Sequence, residues 1–481
     1  MTALDFYGTG MNSLPFDPAD PRAALAQLPQ TPAVFALYGA DAHAEPYIGR
    51  TLNLRVRLER LLQPSPRHPR RLQLAGRVRR IVWHPTGSEF ESLLKQFSLL
   101  EQIYGAKALE RMHLRNPAFV RFLGSNPYPR ITVTHRPSLR EADWSYGPFP
   151  SRAAAERYAD EMLKLFLMRR CTFELSPDPG YPGCVYSEMK MCLAPCYKGC
   201  TDERYCEEAA AVESFLDTRG ESRLVTLRTQ REAASANLEF ESAAALHSQV
   251  QRVESVRALT AELVRPLSQL RAVILQASAN PDEVAVYLYE NGRLGGPAQF
   301  STLGMRIQNE QSGSTSLFPQ PMAIEPVPES EGTRDQGLGT SEYESDITTV
   351  EKNSQGFVLC QGTTGEPAQW VGRVPQTEQK ETGALAPDGI HAAQPSKLPR
   401  GILESRMEAA LAELTDTSKS PSPTLRQGHM ALLKRWYYRP EARRSGEIFY
   451  PDAEGHWPVK ALLRGVGRVA AKTLMAANRA E

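Results

Sequence analysis

Six of the chain's seven cysteines fall within 36 consecutive residues, Cys171 to Cys206. Four of them, Cys171, Cys184, Cys192 and Cys196, occupy the run CTFELSPDPGYPGCVYSEMKMCLAPC with the spacing C-x12-C-x7-C-x3-C. Thiolates this dense in a 481-residue chain whose first residues carry no export signal read as metal ligands rather than disulfides. The intervening SPDPGYPG bends the chain back, as a closed set of sulfur ligands requires. A zinc knot and an iron–sulfur cluster both take four thiolates, so ligand type leaves both open. The bland alternative is a group of free thiols.

The length allows about three domains of roughly 150 residues. With 56 basic and 55 acidic residues, overall charge neither favours nor forbids a polyanionic partner. Its distribution is more informative: residues 50–80 hold ten arginines against one acid, Glu59. Such a local field suits a phosphate backbone, although a solvated helix face beside a basic loop has the same composition. No run of 18 apolar residues occurs, so no membrane partner is expected and a cytoplasmic location is.

Apolar periodicity predicts strands at TPAVFALY, PYIG and VRRIVWHP, with helices over TLNLRVRLERLL, capped by Thr51 or Asn53, and over Glu89–Tyr104. PYPRITVT adds a strand beyond them. Two of these pieces resemble the GIY-YIG nuclease domain of the UvrC family: AVF at 33–35 and YIGRTLNLRVRL at 47–58. The resemblance implies a metal-assisted phosphodiester cleavage site. In it Tyr47 and Gly49 match the YIG box and Arg57 the catalytic arginine, while Arg50 replaces a lysine. Phe35 stands at the first-motif tyrosine, Leu61 at a supporting tyrosine and Gln96 at the metal-binding glutamate. Phenylalanine cannot relay a proton, and an amide binds a hard dication more weakly than a carboxylate does. The expectation is therefore a pseudonuclease whose Arg50, Arg55 and Arg57 still meet DNA, with Mg2+ entering only if the nuclease is active.

The CLAPC box, Cys192–Cys196, resembles the cysteine region of the same family, where four cysteines hold a 4Fe-4S cluster. That likeness implies iron–sulfur over zinc, with Cys200 and Cys206 spare. Further on, NLEFESAAALHSQVQRV resembles the UVR hairpin, which in the family pairs with UvrB. Leu238, Phe240, Ala244, Leu246 and Val250 are the expected contact face. LLRGVGRVAAKTLM fits a helix-hairpin-helix with Gly465 and Gly467 at DNA, and equally a plain glycine-led helix. No spaced acidic triad marks the family's RNase H-like nuclease.

The expected fold class is α+β multidomain, a small GIY-YIG-type mixed α/β domain followed by helical cysteine and UVR regions and an interrupted α+β region. The expected boundaries are a degenerate GIY-YIG-like domain at 20–135, a cysteine-rich region at 148–210 and a UVR-like hairpin at 215–262. A strand meander at 268–304, a disordered linker at 306–398 and a helical C-terminal region at 399–481 complete them. The implied function is UvrC-like nucleotide excision repair, with DNA and a UvrB-like protein as partners. Two alternatives use the same residues: an active endonuclease with a relocated base and carboxylate, and a protein-interaction scaffold that no longer touches DNA.

Overall fold

The computed structural model describes residues 11–41, 44–63, 74, 76–305, 398–415 and 421–478. Almost all of the expected 306–398 linker lies outside the described residues. The described chain is α+β, with twelve α-helices and three four-stranded antiparallel sheets. No described helix is long and apolar enough to cross a membrane.

The first sheet orders β1 (Asn12–Pro15), β4 (Val78–Pro85), β2 (Ala33–Gly39) and β3 (Tyr47–Thr51) as β1-β4-β2-β3. The short α1 (Pro21–Ala26) and α2 (Leu54–Leu62) cover one face, burying Leu25, Leu54, Leu58 and Leu62 on Phe35 and Ile81. Asn53 caps α2, its side chain accepting from the Val56 N–H at 3.1 Å. Helix α3 (Glu89–Tyr104) starts at the Ser88 cap with Glu89 and Glu91 in its first turn, where the helix dipole favours acids. The five-residue α4 (Lys107–Arg111) closes this region.

The second sheet, β6-β5-β7-β8, is built from β5 (Ala118–Phe122), β6 (Ile131–Thr134), β7 (Ser145–Phe149) and β8 (Arg265–Pro266). The PYPRITVT strand therefore pairs with β5, Val133 opposite Val120, and does not extend the first sheet. Helix α5 (Arg152–Leu163) stops eight residues short of Cys171, which a turn and an irregular segment then reach. α6 (Val185–Glu188), α7 (Asp202–Asp217), α8 (Glu221–Ala236) and α9 (Phe240–Arg257) follow. Tyr158, Met162, Phe166, Tyr205, Phe215 and Val253 form a shared core with β5 and β7.

The expected meander and the expected C-terminal region turn out to be one domain. β9 (Ala272–Ala277), β10 (Glu283–Glu290) and β11 (Arg293–Ser301) are joined by β12 (Glu447–Phe449), which pairs with β9 to give β11-β10-β9-β12. β9 is apolar without alternation because both faces are covered. On one face Val273 and Leu275 meet α10 (Arg400–Leu414) and α12 (Val459–Asn478) through Met407, Leu462 and Val466. On the other, Ile274 and Tyr289 meet α11 (Pro423–Tyr437) and α3 through Trp436, Met430 and Phe97. Gly428 lets α11 lie against α3, since a Cβ there would sit 1.9 Å from the Phe97 ring.

Candidate functional site

Cys171, Cys184, Cys192 and Cys196 line one cavity of about 220 Å3, together with Arg169 and Tyr186. Short-range geometry gathers them. The Leu193 N–H donates to the Leu167 carbonyl at 2.9 Å, which holds the CLAPC box beside the segment leading to Cys171. The Asp178 N–H donates to the Cys196 carbonyl at 2.9 Å, which folds the SPDPGYPG turn over the site. Ala194 takes a left-handed φ of 57°, and its N–H donates to the Cys192 sulfur at 3.3 Å. Ser187 Oγ donates to the Cys184 carbonyl and accepts from its N–H, anchoring α6. Cys200 packs on the domain core and Cys206 is exposed. Neither belongs to the cavity lining.

Two observations bear on what the cavity takes. A single zinc ion with four sulfurs at about 2.3 Å would hold those sulfurs about 3.8 Å apart. Among the described residues, no three cysteine sulfurs lie within 4.8 Å of one another. No three of these sulfurs therefore stand at the spacing that one tetrahedral ion would impose. The second observation is Arg169, only 1% exposed. Its Nε donates to the Tyr128 carbonyl at 3.0 Å, and Nη1 donates to the Phe173 carbonyl at 2.9 Å and approaches the Cys171 sulfur at 3.7 Å. Its Nη2 is buried with no partner, and no carboxylate pairs with it among the described residues. A buried cation without a counter-charge is strongly destabilising. The thiolates beside it, or an anionic group that they carry, are the available compensation. Burial pushes the Cys192 thiol up to about 11, which disfavours the bare thiolate.

The nuclease-like cleft is arranged differently. In the β2–β3 register Phe35 opposes Gly49 and Leu37 opposes Tyr47, so these four share the face that α2 covers. A Cβ on Gly49 would stand 2.8 Å from the Phe35 ring; the glycine makes room for that ring. Phe35 and Leu61 are both buried in this core. Ile48 and Arg50 point to the other face, where Ile48 packs into the core that α3 shares. Gln96, carried by α3, thus lies across the sheet from Phe35 and Tyr47. No hydrogen bond or ion pair joins it to Tyr47 or Arg57 among the described residues.

Of the three arginines expected at DNA, Arg55 is committed elsewhere: its guanidinium donates to the Leu28 and Ala26 carbonyls at 2.8 and 2.9 Å, closing the C-terminal end of α1. Arg50 pairs with Glu89 at 3.3 Å. Arg57 alone is exposed and without a side-chain partner among the described residues. Arg439, from beyond α11, donates twice to Glu89 at 2.7 and 2.8 Å. That fork holds the Glu89 carboxyl at about 2. The buried Glu91 accepts from the Gly87 N–H at 2.7 Å and pins the turn into α3; burial raises its pKa.

The expectations for the hairpin and for the last helix need revision. The hairpin α8–α9 exists, but its face is divided. Leu238 and Phe240 at the tip are 71% and 67% exposed and Ala244 is exposed, whereas Val250 is buried in the domain core and Leu246 packs against it. Val250 and Leu246 are therefore not free for a partner. Gly465 and Gly467 lie inside the single 20-residue helix α12, with no hairpin between them and any second helix. Gly465 packs so closely that a Cβ would meet Phe449 at 2.5 Å, while Gly467 faces open space. Sequence reasoning missed Arg169, although a basic residue two positions before the first cysteine was a visible signal. Arg439 carried none, because it reaches Glu89 across 350 residues.

Residues 120–215, which contain all six clustered cysteines, match the UvrC/Cho excinuclease middle domain. The UvrABC system protein C of Alcanivorax borkumensis is 30% identical over 238 residues, 50% of this chain and 39% of that protein. The protein of the same name from Aromatoleum aromaticum is 28% identical over 244 residues, 51% and 40% of the two chains. That of Aliivibrio fischeri is 27% identical over 302 residues, 63% of this chain and 46% of its own. The matched stretch spans less than half the length of these relatives. No solved structure matches. By its middle domain and by these relatives, the chain is UvrC-like.

Proposed function

We propose that the chain acts on DNA in nucleotide excision repair, as a UvrC-like protein that carries an iron–sulfur cluster and lacks a competent GIY-YIG nuclease. The observation that carries this reading is the cavity lined by four cysteines, beside a buried arginine with no acid to neutralise it. Cys171, Cys184, Cys192 and Cys196 would hold a four-iron cluster, whose bonds to sulfur would supply folding free energy to residues 148–210. Arg169 holds the segment before Cys171 and offers positive charge to the thiolates. The Ala194 N–H donates to the Cys192 sulfur and favours its deprotonated form.

The arrangement of the cleft supports a lost nuclease. Phe35 offers no proton acceptor, Gln96 lies across the sheet, and only Arg57 remains to meet a phosphate. Affinity for DNA then outlasts catalysis, because phosphate binding needs charge and cleavage needs a base and a metal ligand. The exposed tip Leu238–Phe240 favours a second, compatible role, the contact with a UvrB-like partner.

The test is iron, sulfide and zinc content of protein purified without oxygen, together with nicking of damaged duplex in Mg2+. Near four irons and four sulfides per chain, with DNA bound and not cut, is the expected result. One zinc per chain overturns the cluster, and Mg2+-dependent cuts abolished by Arg57→Ala restore the active endonuclease.

A further inference from the structure

We propose that the cleft between the second and third sheets binds a nucleotide unit, by its phosphate and its base together. The cleft encloses about 720 Å3 where the β5 and β6 loops, the β10–β11 turn and the first turns of α11 meet. Small-molecule sites have this size. Its floor is apolar and fixed: Phe119, Tyr289 and Met430 are at most 6% exposed, and the Tyr289 hydroxyl is spent on the Met430 sulfur at 3.6 Å.

Its rim carries Arg136, Arg293 and Arg426, brought together from three distant segments. None has an ion pair or a side-chain hydrogen bond among the described residues. The one acid in the lining, Glu290, is already paired with Arg271 at 2.6 Å. Three like charges on one rim repel each other, and no acid pairs with them among the described residues. The turn is shaped around one of them: Gly292, at φ 78°, leaves room for the Arg426 stem, which a Cβ would meet at 2.9 Å. The N-terminus of the 15-residue α11 opens on the same cleft and adds a dipole of the same sign. Guanidinium forks take phosphate oxygens two at a time, and the apolar part of the lining, with Pro117, Pro137 and Leu267, suits a base. A free nucleotide and a nucleotide within a single strand share this chemistry. The proposal stands on the cleft alone and holds whether or not the cysteine cavity carries a cluster.

The test uses the full chain, dTMP and a fluorescein-labelled short oligothymidine, read by anisotropy. Arg293→Glu with Arg426→Glu reverses charge at the rim. Ser268→Trp places bulk at the exposed mouth and leaves charge untouched. Both are expected to weaken oligothymidine binding by about tenfold or more, the first also flattening the salt dependence. Arg293→Gln, at an exposed position, is expected to weaken it severalfold and keeps the test readable if the double variant does not fold. Competition by dTMP identifies a free nucleotide as a ligand, and its failure to compete identifies the unit within a strand. Oligothymidine binding lost with the arginines but unchanged in Ser268→Trp would mean surface charge only and overturn the proposal. So would the absence of binding by either probe.

Discussion

The cysteine cavity and the nuclease-like cleft both look, in the sequence, like sites assembled from family motifs, and the fold treats them oppositely. The cavity draws its four cysteines from 26 residues, 171–196, and turns, a left-handed Ala194 and a few backbone hydrogen bonds suffice to converge them. The cleft must draw on two strands and two helices. Here its residues are divided between the two faces of a sheet, and its charged groups are taken up by structure: Arg55 by α1, Arg50 and Arg439 by Glu89. A site made of local chain survives wherever its own segment folds. A site made of tertiary contacts is lost when any one contributor is substituted or recruited elsewhere.

The largest expected effect tests the local half of that contrast. Cys192→Ser or Cys196→Ser should abolish bound iron and loosen residues 148–210 in hydrogen exchange, because metal binding and folding are coupled. Cys200→Ser and Cys206→Ser should leave iron content unchanged. Equal loss from Cys200→Ser would show that the wrong four thiols are assigned.

The cleft half predicts a failure to rescue. Restoring a base is worth on the order of a hundredfold to ten-thousandfold where the site is otherwise assembled. With Gln96 across the sheet, the combined variant Phe35→Tyr, Leu61→Tyr, Gln96→Glu should still give no nicking in Mg2+ or Mn2+. Robust cutting by it would erase the contrast and show that the cleft needs only its side chains back.

A smaller effect concerns the recruited charges. Arg439, with help from Arg50, lowers the Glu89 pKa from 4.5 to about 2. The pair's contribution is complete above the ordinary carboxylate pKa and is lost as pH falls from 4.5 towards 2. Since Glu89 is largely solvated, about 1 kcal/mol is expected. The unfolding free energy of the native protein, read from urea titrations, should drop between pH 6 and pH 3 by most of that amount more than that of Glu89→Gln. Identical pH slopes would mean that the ion pair contributes nothing. The smallest effect is at the hairpin tip, where Phe240→Glu should change stability by less than about 0.5 kcal/mol. The same variant should lose capture of a UvrB-like partner. A large drop in melting temperature would show that the tip is packed after all.

The strands AVFALY and VRRIVWHP, the Asn53 cap, the α3 stripe and the four-cysteine grouping were legible because each is set by periodicity or spacing within a few turns of chain. The helix-hairpin-helix reading at Gly465 failed because glycine spacing cannot distinguish a turn from close packing inside a helix, and Phe449 decides which. The hairpin face was misjudged at Val250 because an apolar stripe does not say whether its partner is another protein or the same chain. By itself the sequence determined the elements, the clustered thiols and the eroded cleft positions, all consequences of side-chain type and local backbone preference. Only the tertiary structure decided that 268–304 and 399–481 form one sheet, that Arg169 stands unpaired beside the cysteines and that three arginines share a rim. Those facts depend on contacts between residues far apart in the chain, whose pairing is selected by burial of the whole core and is not encoded in any single segment.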